Sequence, residues 1–346
     1  MWNGLEERCR ELFPQAGYCS FRLVSEKKES LSVRRDALQP VASSENLGVM
    51  VTVVQGGGMG YGATCDLTEK GLARAVEDAA GWARVCARHG AVDYSRIVFP
   101  RPQGEYETPT RVAWSEVPLR EKVELLRDLN QRLKTDGRIA DWEASLFNRE
   151  AETIFITADG GRVRQRFRYL LPGMGVYANA GAETVRRTFG GRLRCRQGGW
   201  EVVEGFGLAE AAPRVSEEAL VLLAAPNCPP EKMDLLLDPD QMILQIHESI
   251  GHPLELDRIL GDERNYAGTS FVTRDMFGSY RYGSDLLNVT FDPSRPEEFA
   301  SFGFDDWGVP ARKEHIIREG VLLRGLGGLI SQARADLPGV ACSRAT

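Results

Sequence analysis

Two of the four histidines in this 346-residue chain fall within six positions, in His247-Glu248-Ser249-Ile250-Gly251-His252. Two imidazoles with a glutamate directly after the first point to metal-assisted hydrolysis. A catalytic zinc takes nitrogen ligands and keeps one position open, while a nearby carboxylate accepts the proton of the attacking water. His247 and His252 are the candidate zinc ligands and Glu248 the candidate general base. The competing account is a polar helix end that merely caps itself.

Spacing sets a condition. Histidines four apart share one helix face, but residues five apart on a regular helix point roughly 140° away from each other. The helix must therefore change winding. The sequence supplies the means: Gly251 is permissive, and Pro253 has no N–H and disfavours the helical conformation at His252. A single wide turn with i to i+5 bonding would bring the two rings together. A helix is predicted from about Pro239 to Ile250, with Asp238 as N-cap and Pro239 in the first turn, carrying the apolar run Met242, Ile243, Leu244 and Ile246.

At these residues the chain resembles the TldD/PmbA peptidases, also known as modulators of DNA gyrase. The family pattern His-Glu-x-x-Gly-His-x-x-Glu-x-Asp is met by His247, Glu248, Gly251, His252, Glu255 and Asp257, and Phe304-Asp305-Asp306-Trp307-Gly308-Val309-Pro310-Ala311 is similar to a second family segment. The resemblance runs along most of the chain. It implies a zinc-dependent peptidase for unfolded or leader-type peptides, working as a homodimer or as a heterodimer with a paralogous subunit. It also implies a third ligand, a cysteine from a C-terminal portion lying beyond the segment that corresponds to Thr346, so that the metallopeptidase domain here is expected to be incomplete. Cys342 precedes that portion and is not given the role. Glu255 and Asp257 are either solvated carboxylates or groups that orient a histidine N–H.

Two other functions compete. A non-catalytic or truncated partner subunit would bind peptide without cleaving it, against which the intact His-Glu-x-x-x-His stretch argues. A gyrase-binding regulator is disfavoured by charge: a net charge of −6 and a pI near 5.5 are the opposite of the basic surface that nucleic acid requires. Direct nucleic-acid binding is not expected.

The N-terminus has no basic segment followed by an apolar stretch, and no run approaches a membrane span, so a cytoplasmic location is expected. Seven cysteines, odd in number and without a Cys-x-x-Cys pair, read as reduced, core-type thiols.

The elements that must position the motif give an α+β protein of two domains: an N-terminal sheet covered by helices (1–105) and a C-terminal, mostly antiparallel curved sheet carrying the metal-site helix (106–346). Residues 5–13 read as a helix and 18–24, 30–34 and 47–54 as strands. The run Gly56-Gly57-Gly58-Met59-Gly60-Tyr61-Gly62 lacks the Lys-Ser/Thr ending of a phosphate loop and reads as a hairpin or bulged strand. Helices are predicted at 68–85, 119–133 and 216–225. Strands are predicted at 139–148, 153–158, 162–171, 175–180, 183–189 and 233–237, with Asp159-Gly160-Gly161 turning one hairpin. Residues 266–271 and 279–282 are expected to be extended beside the site, where a peptide substrate could add as a strand. Strands are also predicted at 286–291 and 315–317, with a turn at Glu319-Gly320. His315 reads as a solvent-facing strand residue, and Asp305 and Asp306 as turn formers.

Overall fold

The computed structural model describes residues 2–90 and 92–344. Helix α1 (Trp2–Glu11) leads into the long strand β1 (Tyr18–Arg34), the short β2 (Ala37–Leu38), β3 (Ala42–Gln55), β4 (Gly58–Thr64) and helix α2 (Glu69–His89). After β5 (Gln103–Glu107) and helix α3 (Leu119–Leu133) come the two longest strands, β6 (Ile139–Thr157) and β7 (Arg162–Ala180). They are followed by β8 (Glu183–Gly190), β9 (Arg196–Gln197) and the helices α4 (Glu201–Glu204) and α5 (Leu208–Ala224).

These strands form one nine-stranded sheet in the order β4-β3-β1-β6-β7-β5, with β2 added to β1 and both β8 and β9 to β7. β5 alone runs parallel to its partner β7, and the other pairings are antiparallel. The β1–β6 ladder extends from Ser20–Thr157 to Arg34–Glu143, so the sheet continues across residue 105. Burial along β7 alternates in two phases, with Val163, Gln165, Phe167 and Tyr169 buried in its first half and Leu170, Met174, Val176 and Ala178 in its second, so the buried face switches at Tyr169–Leu170. Against one part of the sheet, α3 and α5 enclose Leu126, Leu129, Leu133, Ala212, Val215 and Leu146; against another, α1 and α2 enclose Leu5, Leu72, Ala79, Phe21 and Val51.

Two strands are longer than their hydrophobic pattern predicts. β1 passes unbroken through Glu26-Lys27-Lys28-Glu29, and β6 through the facing Asn148–Glu152. Apolar periodicity lapses there because the side chains pair with each other, Arg149 with Glu26 at 2.6 Å and Lys28 with Glu26 at 2.5 Å, while the backbone ladder continues. Helix α5 starts at Leu208 rather than at Ser216, with Pro213 inside it. Burial of Leu208, Ala211, Ala212 and Val215 outweighs the lost backbone bond. The strand expected at 233–237 does not form: the segment is irregular, with Leu235 and Leu236 77% and 97% exposed.

The glycine run is a packing device. Gly56 and Gly57, both at positive φ, make the two-residue turn between β3 and β4. Gly58, Gly60 and Gly62 then share one face of β4 and meet Ala83, Ala79 and Ala75 of α2; a Cβ at Gly60 would lie 2.1 Å from the Ala79 carbonyl oxygen. A period of two on the strand meets a period of four on the helix, and the backbones close.

Beyond α5 the chain leaves the large sheet. Helix α6 (Pro239–Ile246), a π-helical turn (His247–Gly251), a 3₁₀ turn (His252–Leu254) and the short helices α7 (Leu256–Leu260) and α8 (Arg264–Ala267) come first. A small antiparallel sheet, β10 (Val289–Phe291), β11 (Glu314–Arg318) and β12 (Val321–Leu322), and helix α9 (Leu329–Ala335) complete the segment. Leu254, Val272, Ile316, Ile317 and Leu322 form its core. α8 occupies the start of the stretch expected to be extended at 266–271, whereas Arg281 bridges Val321 in strand fashion. His315 is exposed on β11, opposite Thr290.

Candidate metal centre

Helix α6 begins at Pro239 after an extended Asp238, whose side chain makes no capping bond. After Ile246 the winding widens, and the His252 amide donates to the carbonyl of His247, five residues back. That bond resolves the spacing. In an i to i+5 turn the two histidines lie one above the other, and their ring centroids are 4.2 Å apart at an interplanar angle of 80°. One ligand atom each of His247, Glu248 and His252 lies within 4.8 Å of the others. His247 and Glu248 are exposed and His252 is half-buried. Two imidazole nitrogens at an accessible point fit a borderline divalent cation such as zinc, and the carboxylate beside them is within reach of a water that such an ion would hold.

Behind His252 the structure places Glu255. The turn unwinds there into an extended residue held by the Leu256 amide bonding the Leu326 carbonyl at 2.8 Å, with Leu254 and Leu256 buried on either side. Alternation sends the Glu255 side chain the other way, where its Oε1 lies 2.8 Å from His252 Nδ1. Arg258 donates from Nε to Glu255 Oε2 at 2.8 Å and also approaches His252 Nδ1 at 3.3 Å. The shorter contact decides the tautomer: Nδ1–H donates to the carboxylate, leaving the Nε2 lone pair free for a metal. Arg258 is held in turn by Glu263 at 3.0 Å and by the Ala267 carbonyl, and its bond to Glu255 keeps its pKa raised.

Asp257 is placed differently. It lies with Glu255 and Glu263 around Arg258, accepts from the Arg258 amide at 3.1 Å, and among the described residues makes no bond to either histidine. Cys342 is not among the residues gathered at His247; burial, reinforced by Asp305, pushes its thiol up to about 12. Asp305 is a turn former of a special kind. Its Oδ1 accepts from the Trp307 and Val309 amides, both at 2.9 Å, while burial, helped by Asp306, raises its pKa to about 6. Sequence reasoning missed Arg258 and Tyr282. Tyr282 is far along the chain, yet its hydroxyl donates to the Ser249 carbonyl inside the π-helical turn at 2.6 Å.

Three domain models of one family match the chain: PmbA/TldA metallopeptidase domain 1 over residues 19–83, the central domain over 113–223 and the C-terminal domain over 230–338. A metalloprotease of Methanocaldococcus jannaschii is 24% identical over 335 residues, covering 95% of this chain and 70% of the relative. A metalloprotease of Methanothermobacter thermautotrophicus is 25% identical over 311 residues, covering 88% and 63%. Among solved structures, a candidate modulator of DNA gyrase from Thermotoga maritima superposes with a TM-score of 0.74 at 16% identity, over 99% of this chain and 74% of that one. TldE of Thermococcus kodakarensis gives 0.67 at 13% identity, over 98% and 72%. With its helix–sheet architecture matched throughout and its family segments matched in order, the chain belongs to the PmbA/TldD metallopeptidase family.

Proposed function

We propose that the chain is a zinc-dependent peptidase subunit acting on unfolded or leader-type peptides. The observation that carries this reading is the convergence of His247, Glu248 and His252 on one accessible point through a π-helical turn. The metalloprotease names of its relatives support the reaction class.

His247 and His252 would hold the ion, and Glu255 presets the His252 tautomer for it. A zinc ion there would supply Lewis acidity, acidifying a water and polarising the scissile carbonyl. Glu248, exposed beside the two imidazoles, accepts the water's proton and delivers it to the leaving amine. Its position directly after His247 keeps the carboxylate in the same cluster without making it the partner of a buried cation. The exposed setting leaves the site open to an extended peptide.

Assembly in dimers belongs to the same proposal. Met242, Ile243, Leu244 and Ile246 of α6 are 40–52% exposed, an apolar surface of the kind that a subunit interface covers.

The test is hydrolysis of an unstructured peptide by the zinc-loaded protein beside Glu248→Gln. The variant is expected to keep its metal and lose at least about a hundredfold in rate, the usual worth of a general base. Equal rates in the two proteins would remove the reading.

A further inference from the structure

The π-helical turn needs an explanation beyond the motif that contains it. In a regular helix the carbonyl of Ser249 would accept from the amide of residue 253, but residue 253 is proline and has no N–H. The carbonyl is instead bonded by the hydroxyl of Tyr282, 33 residues further along the chain, at 2.6 Å. Burial and the neighbouring Tyr280 raise the pKa of that phenol, so it remains a donor through the neutral range.

Tyr282 is itself held firmly. Its amide donates to the Gly320 carbonyl at 2.7 Å, and Gly320, at φ 79°, forms the turn between β11 and β12. A Cβ there would lie 2.5 Å from the carbonyl oxygens of Gly283 and Ser284, so only glycine permits the approach. The ring packs against Phe271 and Tyr280, with centroids 5.8 and 6.0 Å away, and joins the small core around Leu254 and Ile317. A continuous chain of contacts thus runs from the β11–β12 turn to the middle of the metal turn.

We propose that Tyr282 is a positioning residue for the metal centre: its hydroxyl supplies the hydrogen bond that Pro253 cannot give to Ser249 and so fixes the five-residue turn that brings His247 and His252 together. This rests on the metal-centre reading above. A wide turn is costlier than α-helix and persists only where its surroundings specify it. Here the proline removes the regular alternative and the tyrosine rewards the irregular one.

Tyr282→Phe removes only the hydroxyl and leaves the ring packing intact. Two quantities are read. The first is hydrogen exchange at residues 247–254 in the metal-free protein, where the variant is expected to exchange faster, the His252 amide above all. The second is affinity for Zn²⁺, by competition with a chromophoric chelator, together with the visible spectrum of the Co²⁺ form. The variant is expected to lose about ten- to a hundredfold in affinity and to show an altered spectrum, with its unfolding temperature close to that of the wild type. Unchanged exchange overturns the proposal, and so does faster exchange with unchanged affinity and spectrum. A wild-type protein that binds neither ion sinks the metallopeptidase reading instead, and the exchange measurement alone then decides whether Tyr282 holds the turn.

Discussion

At the scale of single residues the candidate site is defined by what stands behind His252. His252 is presented by Glu255, and Glu255 is fixed by Arg258, so a surface histidine acquires a defined tautomer from a carboxylate on the next turn. Glu255→Ala is expected to weaken zinc binding about ten- to a hundredfold while leaving the fold intact. A chelator titration giving wild-type affinity would show that the contact is incidental. Asp305 offers a second test, of stability rather than binding. Its pKa is raised from the ordinary 3.8 to about 6, so between those pH values the folded chain keeps a proton that the unfolded chain gives up. Stability therefore falls as pH rises through that window, and at neutral pH the buried charge is a penalty of up to about 3 kcal/mol. Asp305→Asn, which retains an oxygen for the Trp307 and Val309 amides, is expected to be more stable than the wild type at pH 7 and to lose that difference near pH 4. Urea midpoints that move in parallel at both pH values would contradict this.

At the scale of elements, winding and register do the positioning. The sequence already required a wide turn, because histidines five apart cannot share a face of a regular helix and Gly251-His252-Pro253 permits the change. The i to i+5 bond from His252 to His247 is that turn. The hairpin at Gly56-Gly57 was also legible, as was α3, whose bounds coincide with the apolar periodicity. What stayed hidden depends on tertiary partners. The polar middle of β1 is a strand because β3 and β6 flank it, α5 extends through Pro213 because its first turns are buried, and Tyr282 reaches Ser249 from 33 residues away. None of these leaves a local pattern. Helix α6 is the opposite case, strongly apolar yet uncovered. If its face belongs to an interface, the double variant Ile243→Asp with Leu244→Asp is expected to sediment as a monomer where the wild type sediments as a dimer. A monomeric wild type at micromolar concentration would refute the assignment.

At the scale of the whole molecule, a large sheet backed by helices supports a smaller C-terminal segment that carries the candidate metal centre. The two are tied where Arg22 of β1 meets Asp306 at 2.7 Å and where Gln197 of β9 bonds the Phe299 and Ser301 carbonyls at 3.2 and 2.6 Å. Among the described residues no helix is long and apolar enough to cross a membrane. The division of labour explains why the motif stands out in the sequence while its setting does not: the two proposed ligands and the proposed base fit within six residues, whereas the frame that orients them is assembled from β11, β12, Tyr282 and Leu326, all distant in the chain. The measurement that bears most directly on this account is zinc content per chain, by elemental analysis after exhaustive dialysis, for the wild type, His247→Ala and Glu248→Gln. The account predicts equal zinc in the wild type and in Glu248→Gln, up to about one per chain as far as the two imidazoles hold it without the cysteine that the family resemblance implies, and little in His247→Ala, since an imidazole ligand is lost and the base is not. Zinc absent from the wild type, or undiminished in His247→Ala, would contradict it.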